Sequence, residues 1–195
     1  VGLPSREPIA VIERHLDEMH HGSLHARTMG IDCFVVHLSP FSYEHRQREA
    51  KMIIQRVKKS VQAKHPVIVM GDFNALSPQD IDAYEGDEAL LTRMRSSDAQ
   101  HDHVENLSEG QIDYSVIQTF LDAGLVDLYA KHRGSPAEPG HRRIDFILAA
   151  PDLSECLTSA DWLVGKPFTT MSDHPPTRAQ LRWPSPGKMD SQKGE

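Results

Sequence analysis

The chain has 195 residues, 38% of them apolar and 25% charged, enough for one sizeable buried core and with no apolar run long enough to cross a bilayer. Its formal charge is -7 with Lys and Arg scattered, which argues against strong non-specific binding of duplex nucleic acid, because that depends on clustered cations releasing counterions. The two cysteines, Cys33 and Cys156, form no disulfide or metal spacing and read as core residues.

In chain order, β-branched and alternating runs predict strands over Ile9–Ile12, Leu24–Thr28 and Ile31–His37. A helix follows over Tyr43–Ala63, with Ser42 as its cap, Pro66 beyond its end, and an apolar stripe of Ala50, Ile53, Ile54, Val57 and Val61. Its Lys51, Arg56, Lys58 and Lys59, with Lys64 just beyond, read as a solvated face rather than a phosphate groove. The next strand is Val67–Met70, and Ser77-Pro78 opens a second helix. Residues Glu85–Gln111 are polar and weakly periodic, a surface excursion that either covers a pocket or decorates it. A third helix spans Tyr114–Ala123, terminated by Gly124, and Gly134–Gly140 is a loop. Strands Ile144–Ala149, Ala160–Val164 and Thr177–Trp183 complete an α/β domain over residues 1–183, followed by a polar, disordered tail over 184–195.

The chemistry concentrates at strand ends. Val67-Ile68-Val69-Met70 breaks into Gly71-Asp72-Phe73-Asn74-Ala75, so a buried strand turns out of its sheet carrying an acid and an amide. Two residues apart in an extended segment, Asp72 and Asn74 point to one side, where they can hold a hard cation, a water or a phosphate oxygen. A plain Asp/Asn turn is the competing account. Asp145 interrupts the apolar run Ile144–Leu148 and needs a partner; Arg142 and Arg143 are the nearest cations. His37 closes the third strand, and Ser172-Asp173-His174 precedes the last. The remaining histidines, His15, His20, His21, His25, His101 and His103 among them, accompany no CxxC or HExxH spacing and read as solvent or loop residues rather than a zinc site.

These elements together resemble the endonuclease/exonuclease/phosphatase superfamily of metal-dependent phosphoester hydrolases, the DNase I-like proteins. The matching pieces run in the family's order: His37-Leu38, a helix with Arg46 near its start, GDFNA at 71–75, RIDFIL at 143–148 and SDH at 172–174. The resemblance implies a four-layer α/β sandwich, two mixed sheets face to face with helices outside, and a Mg2+ (or Mn2+) cofactor. It also implies catalytic roles for His37, Asp72, Asn74, Asp145, Asp173 and His174. In that scheme Asp72, Asn74 and Asp173 hold the metal or the reacting water, and His174 moves the proton. His37 donates to the phosphate, oriented by Asp145 on an adjacent strand, while Arg46 is a structural ion-pair partner. The substrate is a phosphoester: a nucleic acid, an inositol phosphate, a phospholipid or a small phosphodiester.

One departure matters. Val1–Ile9 looks like the stretch that follows the family's metal-binding Glu, so that strand-terminal Glu is absent from the sequence, and neither Glu7 nor Glu13 matches its motif. The opening Val in place of Met fits a fragment or trimmed product lacking the N-terminal strands, and no signal-peptide pattern is present; the reading is a soluble protein of open compartment. The alternative function is a non-catalytic remnant with a phosphate-binding rim that acts through a partner.

Overall fold

The apolar runs pair into a mixed sheet in the computed structural model, which describes residues 1–134 and 142–183. The loop expected over Gly134–Gly140 lies outside the described residues from position 135 on, as does the tail from 184. The first half of the chain forms β1 (Ala10–His15), β2 (Ser23–Thr28), β3 (Ile31–His37), helix α1 (Tyr43–Gln62) and β4 (Val67–Asp72). A 3-10 turn (Pro78–Asp80), α2 (Ile81–Tyr84) and α3 (Glu88–Gln100) lead to the short pair β5 (Leu107–Ser108) and β6 (Gln111–Ile112). Then come α4 (Ser115–Asp122), β7 (Val126–Asp127), α5 (Leu128–Arg133), β8 (Asp145–Ala149), α6 (Pro151–Ser154), β9 (Leu157–Trp162) and β10 (Thr177–Leu181).

Six strands form one sheet in the order β1-β2-β3-β4-β8-β7, with β3 and β4 parallel and the other neighbours antiparallel. Strands β9 and β10 form a second, antiparallel sheet of two strands. Period-two alternation decides which layer each side chain enters. From β8, Phe146 and Leu148 join Phe34, Val36, Val69 and Phe73 under α1 and α4, while Ile147 faces the other way. On that second face Cys33, Ile68 and Ala149 meet Leu128, Leu153 and Ala160, with Leu157, Ala179 and Leu181 of the second sheet against them. Each fully buried Leu or Phe in these layers stabilises the fold by about 1.5–3 kcal/mol.

Helix α1 starts where expected, with the Ser42 hydroxyl accepting from the His45 N–H at 3.4 Å. Its buried stripe continues through Ser60 instead of Val61, which is 47% exposed. The cause is local: the last turn lies over the buried carboxylate of Asp32, so a hydroxyl is the better fit there. The polar excursion contains α3, capped by Asp87 Oδ1 accepting from Leu90 N at 2.9 Å. Leu90 is its one buried residue, which is why the helix has no apolar stripe to reveal it. Cys33 is buried, but Cys156 is half-buried at the entry to β9.

Asp32 anchors the end of the sheet opposite the site described below. It is 1% exposed and faces Arg27 Nε at 2.5 Å, with His25 and His65 nitrogens each at 3.3 Å. Burial alone would raise its pKa, but hydrogen bonds from Arg27 and Ser60 and the charges of Arg27 and His25 outweigh burial and hold it at about 2, below the ordinary 3.8. A depressed carboxylate pKa gives stability that is complete above the unfolded-state value and lost as pH falls through the folded one. The wild-type chain is therefore expected to lose about 2 kcal/mol from this group as pH drops from about 4 to about 2. Urea titrations should show a shallower acid slope in Asp32→Asn; equal slopes would contradict the assignment.

Candidate active site

Strand register places three of the six expected residues. His37 ends β3 opposite Asp72 at the end of the parallel β4, and Asp72 in turn lies opposite Asp145 at the start of the antiparallel β8. Paired positions share a sheet face, so an imidazole and two carboxylates stand in one row across three neighbouring strands. Gly71 makes the row feasible. Its φ is +136°, and a Cβ there would sit 2.0 Å from the Val36 carbonyl oxygen, so β4 can approach β3 this closely only with glycine.

Beyond Asp72 the chain is not extended as the sequence suggested. Asn74 adopts φ +48°, a left-handed conformation that Asn tolerates, and its N–H donates to Asp72 Oδ1 at 2.8 Å. Turn and site are thus the same residues. The Asn74 amide donates one hydrogen to the Leu38 carbonyl at 2.9 Å, tying the turn to the end of β3. Asp72 Oδ2 remains, 3.5 Å from His37 Nε2 and 3.8 Å from His174 Nε2.

His174 reaches the row from the loop before β10. The loop is fixed by Trp162, whose indole N–H donates to the Pro175 carbonyl at 3.1 Å, and by Leu163 N donating to Pro176 O at 2.9 Å. His174 Nδ1 is hydrogen-bonded to Asp145 Oδ2. The partner expected for Asp145 was His37, and the sheet order corrects this: β4 lies between β3 and β8, so His37 faces Asp72 while Asp145 is left to the loop histidine. Arg143 does not pair with Asp145 either. Completely buried, it donates to Asp80 and Asp127.

The pair titrates as a unit. Burial disfavours the His174 imidazolium, but the hydrogen bond and charge of Asp145, with the charges of Asp72 and Asp173, overcome it and raise its pKa. Burial pushes Asp145 up to about 6, opposed by the His174 hydrogen bond.

The row opens into a cleft of ≈ 650 Å³ lined also by Pro40, Asn106, Arg142 and Asp173. All six residues expected from the sequence therefore meet around one hollow, Asp145 through its bond to His174. Asp173 is 92% exposed on its wall. Asn106 gave no signal in the sequence because it sits in the aperiodic excursion. Asp98 accepts from its backbone and amide, and Arg46, buried behind the cleft, donates to its Oδ1 at 3.1 Å and to the Ser39 carbonyl. Arg46 thus supports the wall and does not touch the hollow. Exposed Arg142 brings a guanidinium to the rim, a group suited to phosphate oxygens.

The donor set fits a magnesium ion incompletely. The oxygens are hard, but among the described residues no group of three His, Cys, Asp or Glu side chains converges as metal ligands. Glu13 is committed to Arg56, whose Nη2 is 2.8 Å from its Oε1, and lines a different cavity.

Residues 3–174 match the Endonuclease/Exonuclease/phosphatase family, nearly the whole of the chain. The chain belongs to this family. Solved structures share the family fold at low identity. A 3′ phosphatase, NExo, from Neisseria, bound to a product DNA hairpin, matches with a TM-score of 0.62 and 18% identity over 92% of this chain and 73% of its own. The 3′-5′ exonuclease NExo from Neisseria meningitidis gives 0.63 and 17% over the same shares, 92% and 73%. An AP endonuclease from Archaeoglobus fulgidus gives 0.57 and 20%, again over 92% and 73%. No curated protein matches the sequence. No helix among the described residues is long and apolar enough to cross a membrane.

Proposed function

We propose that the cleft hydrolyses phosphoester bonds, with His174 transferring the proton and Asp145 as its positioning residue. The observation that carries this reading is the imidazole held between two carboxylates, bonded through Nδ1 to Asp145 while Nε2 looks toward Asp72 across the hollow. Asp145 accepts the Nδ1 proton and so selects the tautomer whose Nε2 lone pair faces the hollow. That nitrogen takes a proton from a water whose oxygen attacks phosphorus while the P–O bond to the leaving alkoxide breaks; the alkoxide is protonated from solvent, and the imidazolium, stabilised by Asp145 and Asp72, returns its proton to solvent. His37, across Asp72, donates to a phosphoryl oxygen, and Arg142 supplies positive charge at the rim. Asp72, fixed at Oδ1 by the Asn74 N–H, orients the water through Oδ2. Magnesium or manganese dependence belongs to the proposal as a property to be titrated. The absence of a three-donor group among the described residues favours the second reading, a phosphate-binding remnant without turnover.

The deciding experiment is hydrolysis of bis-p-nitrophenyl phosphate with and without magnesium. Turnover supports the enzyme, and its absence under both conditions supports the remnant. A pH profile adds a sharper outcome. Because the His174 pKa is raised above 6.5 and the base must be neutral, kcat/KM should climb with pH along a limb displaced to the alkaline side of an ordinary histidine. In Asp145→Asn the hydrogen-bonded carboxylate that does most to raise it is gone, while burial and the charges of Asp72 and Asp173 remain, so the limb should move to lower pH. The plateau should fall on the order of 10²-fold as the tautomer is lost. A limb that stays in place would contradict the pairing.

A further inference from the structure

Histidines that the sequence scatters over distant positions form, with one phenylalanine, a single line of rings leading out of the cleft. His37 stacks on His21 with centroids 3.9 Å apart and planes 26° apart. His21 meets His20 edge-on at 4.2 Å, and His20 meets Phe41 edge-on at 4.9 Å. Phe41 meets His103 at 5.0 Å, and His101 lies 5.8 Å beyond His103. His20, His21, His101 and His103 are exposed, and Phe41 is half-buried, so core packing does not account for the row.

The turns that carry the row are tied to one another. Glu49, 0% exposed, accepts from the backbone N–H of His20 and of Ser39, each at 2.7 Å, clamping the turn before β2 to the turn after β3. The Ser39 hydroxyl accepts from Phe41 N at 3.3 Å. The loop carrying His103 is tied to the same turn, since Glu105 N donates to Phe41 O and Tyr43 N to Glu105 O, both at 2.8 Å. The burial of the Glu49 carboxylate is offset by these two N–H donors, so the backbone beneath the exposed rings is fixed at a satisfied site.

We propose that this row is a stacking ledge for unpaired nucleobases, which assigns single-stranded nucleic acid as the substrate class of the cleft. The inference rests on the phosphoester reading of that cleft and extends it. Every base offers a flat π face, so stacking on successive rings is tolerant of sequence, whereas a cyclitol or an acyl chain offers no such face.

The test measures binding without turnover, in the full chain carrying His174→Ala. The probes are a short single-stranded oligodeoxynucleotide containing 2-aminopurine and an abasic oligomer of the same length and charge. The base-bearing probe should be quenched and should bind about ten-fold more tightly than the abasic one, the scale of one stacked base. His20→Ala with His103→Ala, both at exposed positions, should remove that difference, as should Phe41→Ala, while Phe41→Trp keeps it. Equal affinity for the two oligomers, or variants that leave the difference intact, would overturn the ledge. So would a preference for duplex DNA or for phosphoinositide vesicles. Quenching that persists in a wild-type chain without hydrolytic activity would sink the enzyme reading alone, and turnover of single strands without quenching would sink the ledge alone.

Discussion

His174→Ala is expected to lower kcat for phosphodiester hydrolysis about 10³-fold, within the 10²–10⁴ range that a positioned proton-transfer group contributes. The loss should fall on kcat and leave KM within about three-fold, because an interaction made only in the transition state does not hold the ground-state substrate. Folding should be little affected. The ring is 27% exposed in a loop whose position is set by backbone bonds to Trp162 and Leu163, and truncation removes no core packing. A circular dichroism melt within about 3 °C of wild type would separate lost chemistry from lost structure. A variant retaining more than a tenth of the wild-type kcat would remove His174 from the mechanism.

Arg143→Ala is expected to destabilise the chain by about 3–5 kcal/mol, the cost of leaving buried carboxylates without the cation they were built around. Arg143 is fully buried, donates Nε and Nη2 to Asp80 at 3.0 and 2.6 Å and Nη2 to Asp127 at 2.7 Å. Its guanidinium lies 4.3 Å from the Phe146 ring centroid and 4.8 Å from that of Tyr129. Removing it takes the cation from two buried carboxylates and opens a void between aromatic rings. For a domain of this size the melting temperature should drop on the order of 10 °C. Arg143→Lys should recover only part, since an ammonium cannot reproduce the planar fork. A melt of Arg143→Ala within about 2 °C of wild type would show that the fork is not structural. Because Arg143 lies two residues before Asp145 in the segment that leads into β8, the variant should also lose activity in its folded fraction.

What the sequence revealed depended on how local each signal was. GDFNA and SDH were legible because a strand run, a glycine break and the polar residues after it lie within a few positions of one another. Helix α1 was legible for the same reason, through its cap and stripe, up to Ser60, where a contact with Asp32 on another element overrode the pattern. The partner of Asp145 was not legible, because it depends on β4 lying between β3 and β8, a matter of sheet order across the whole chain. Arg143 reads in the sequence as a neighbour of Asp145, yet its partners Asp80 and Asp127 come from a turn and a two-residue strand with almost no sequence signature. Asn106 and the line of rings share that obscurity: each joins segments far apart in the chain, and single histidines carry no periodicity.

The ladder that aligns His37, Asp72 and Asp145 divides the cleft into unequal halves. Those three side chains are anchored on adjacent strands whose backbones are bonded to one another, whereas Asp173 and His174 hang on a loop between β9 and β10. Accommodation of ligands of different size therefore falls on one bank of the cleft, with the other acting as a fixed anvil. Redesign of the loop away from His174 can alter what is admitted, whereas any change that moves His174 also takes away the partner of Asp145.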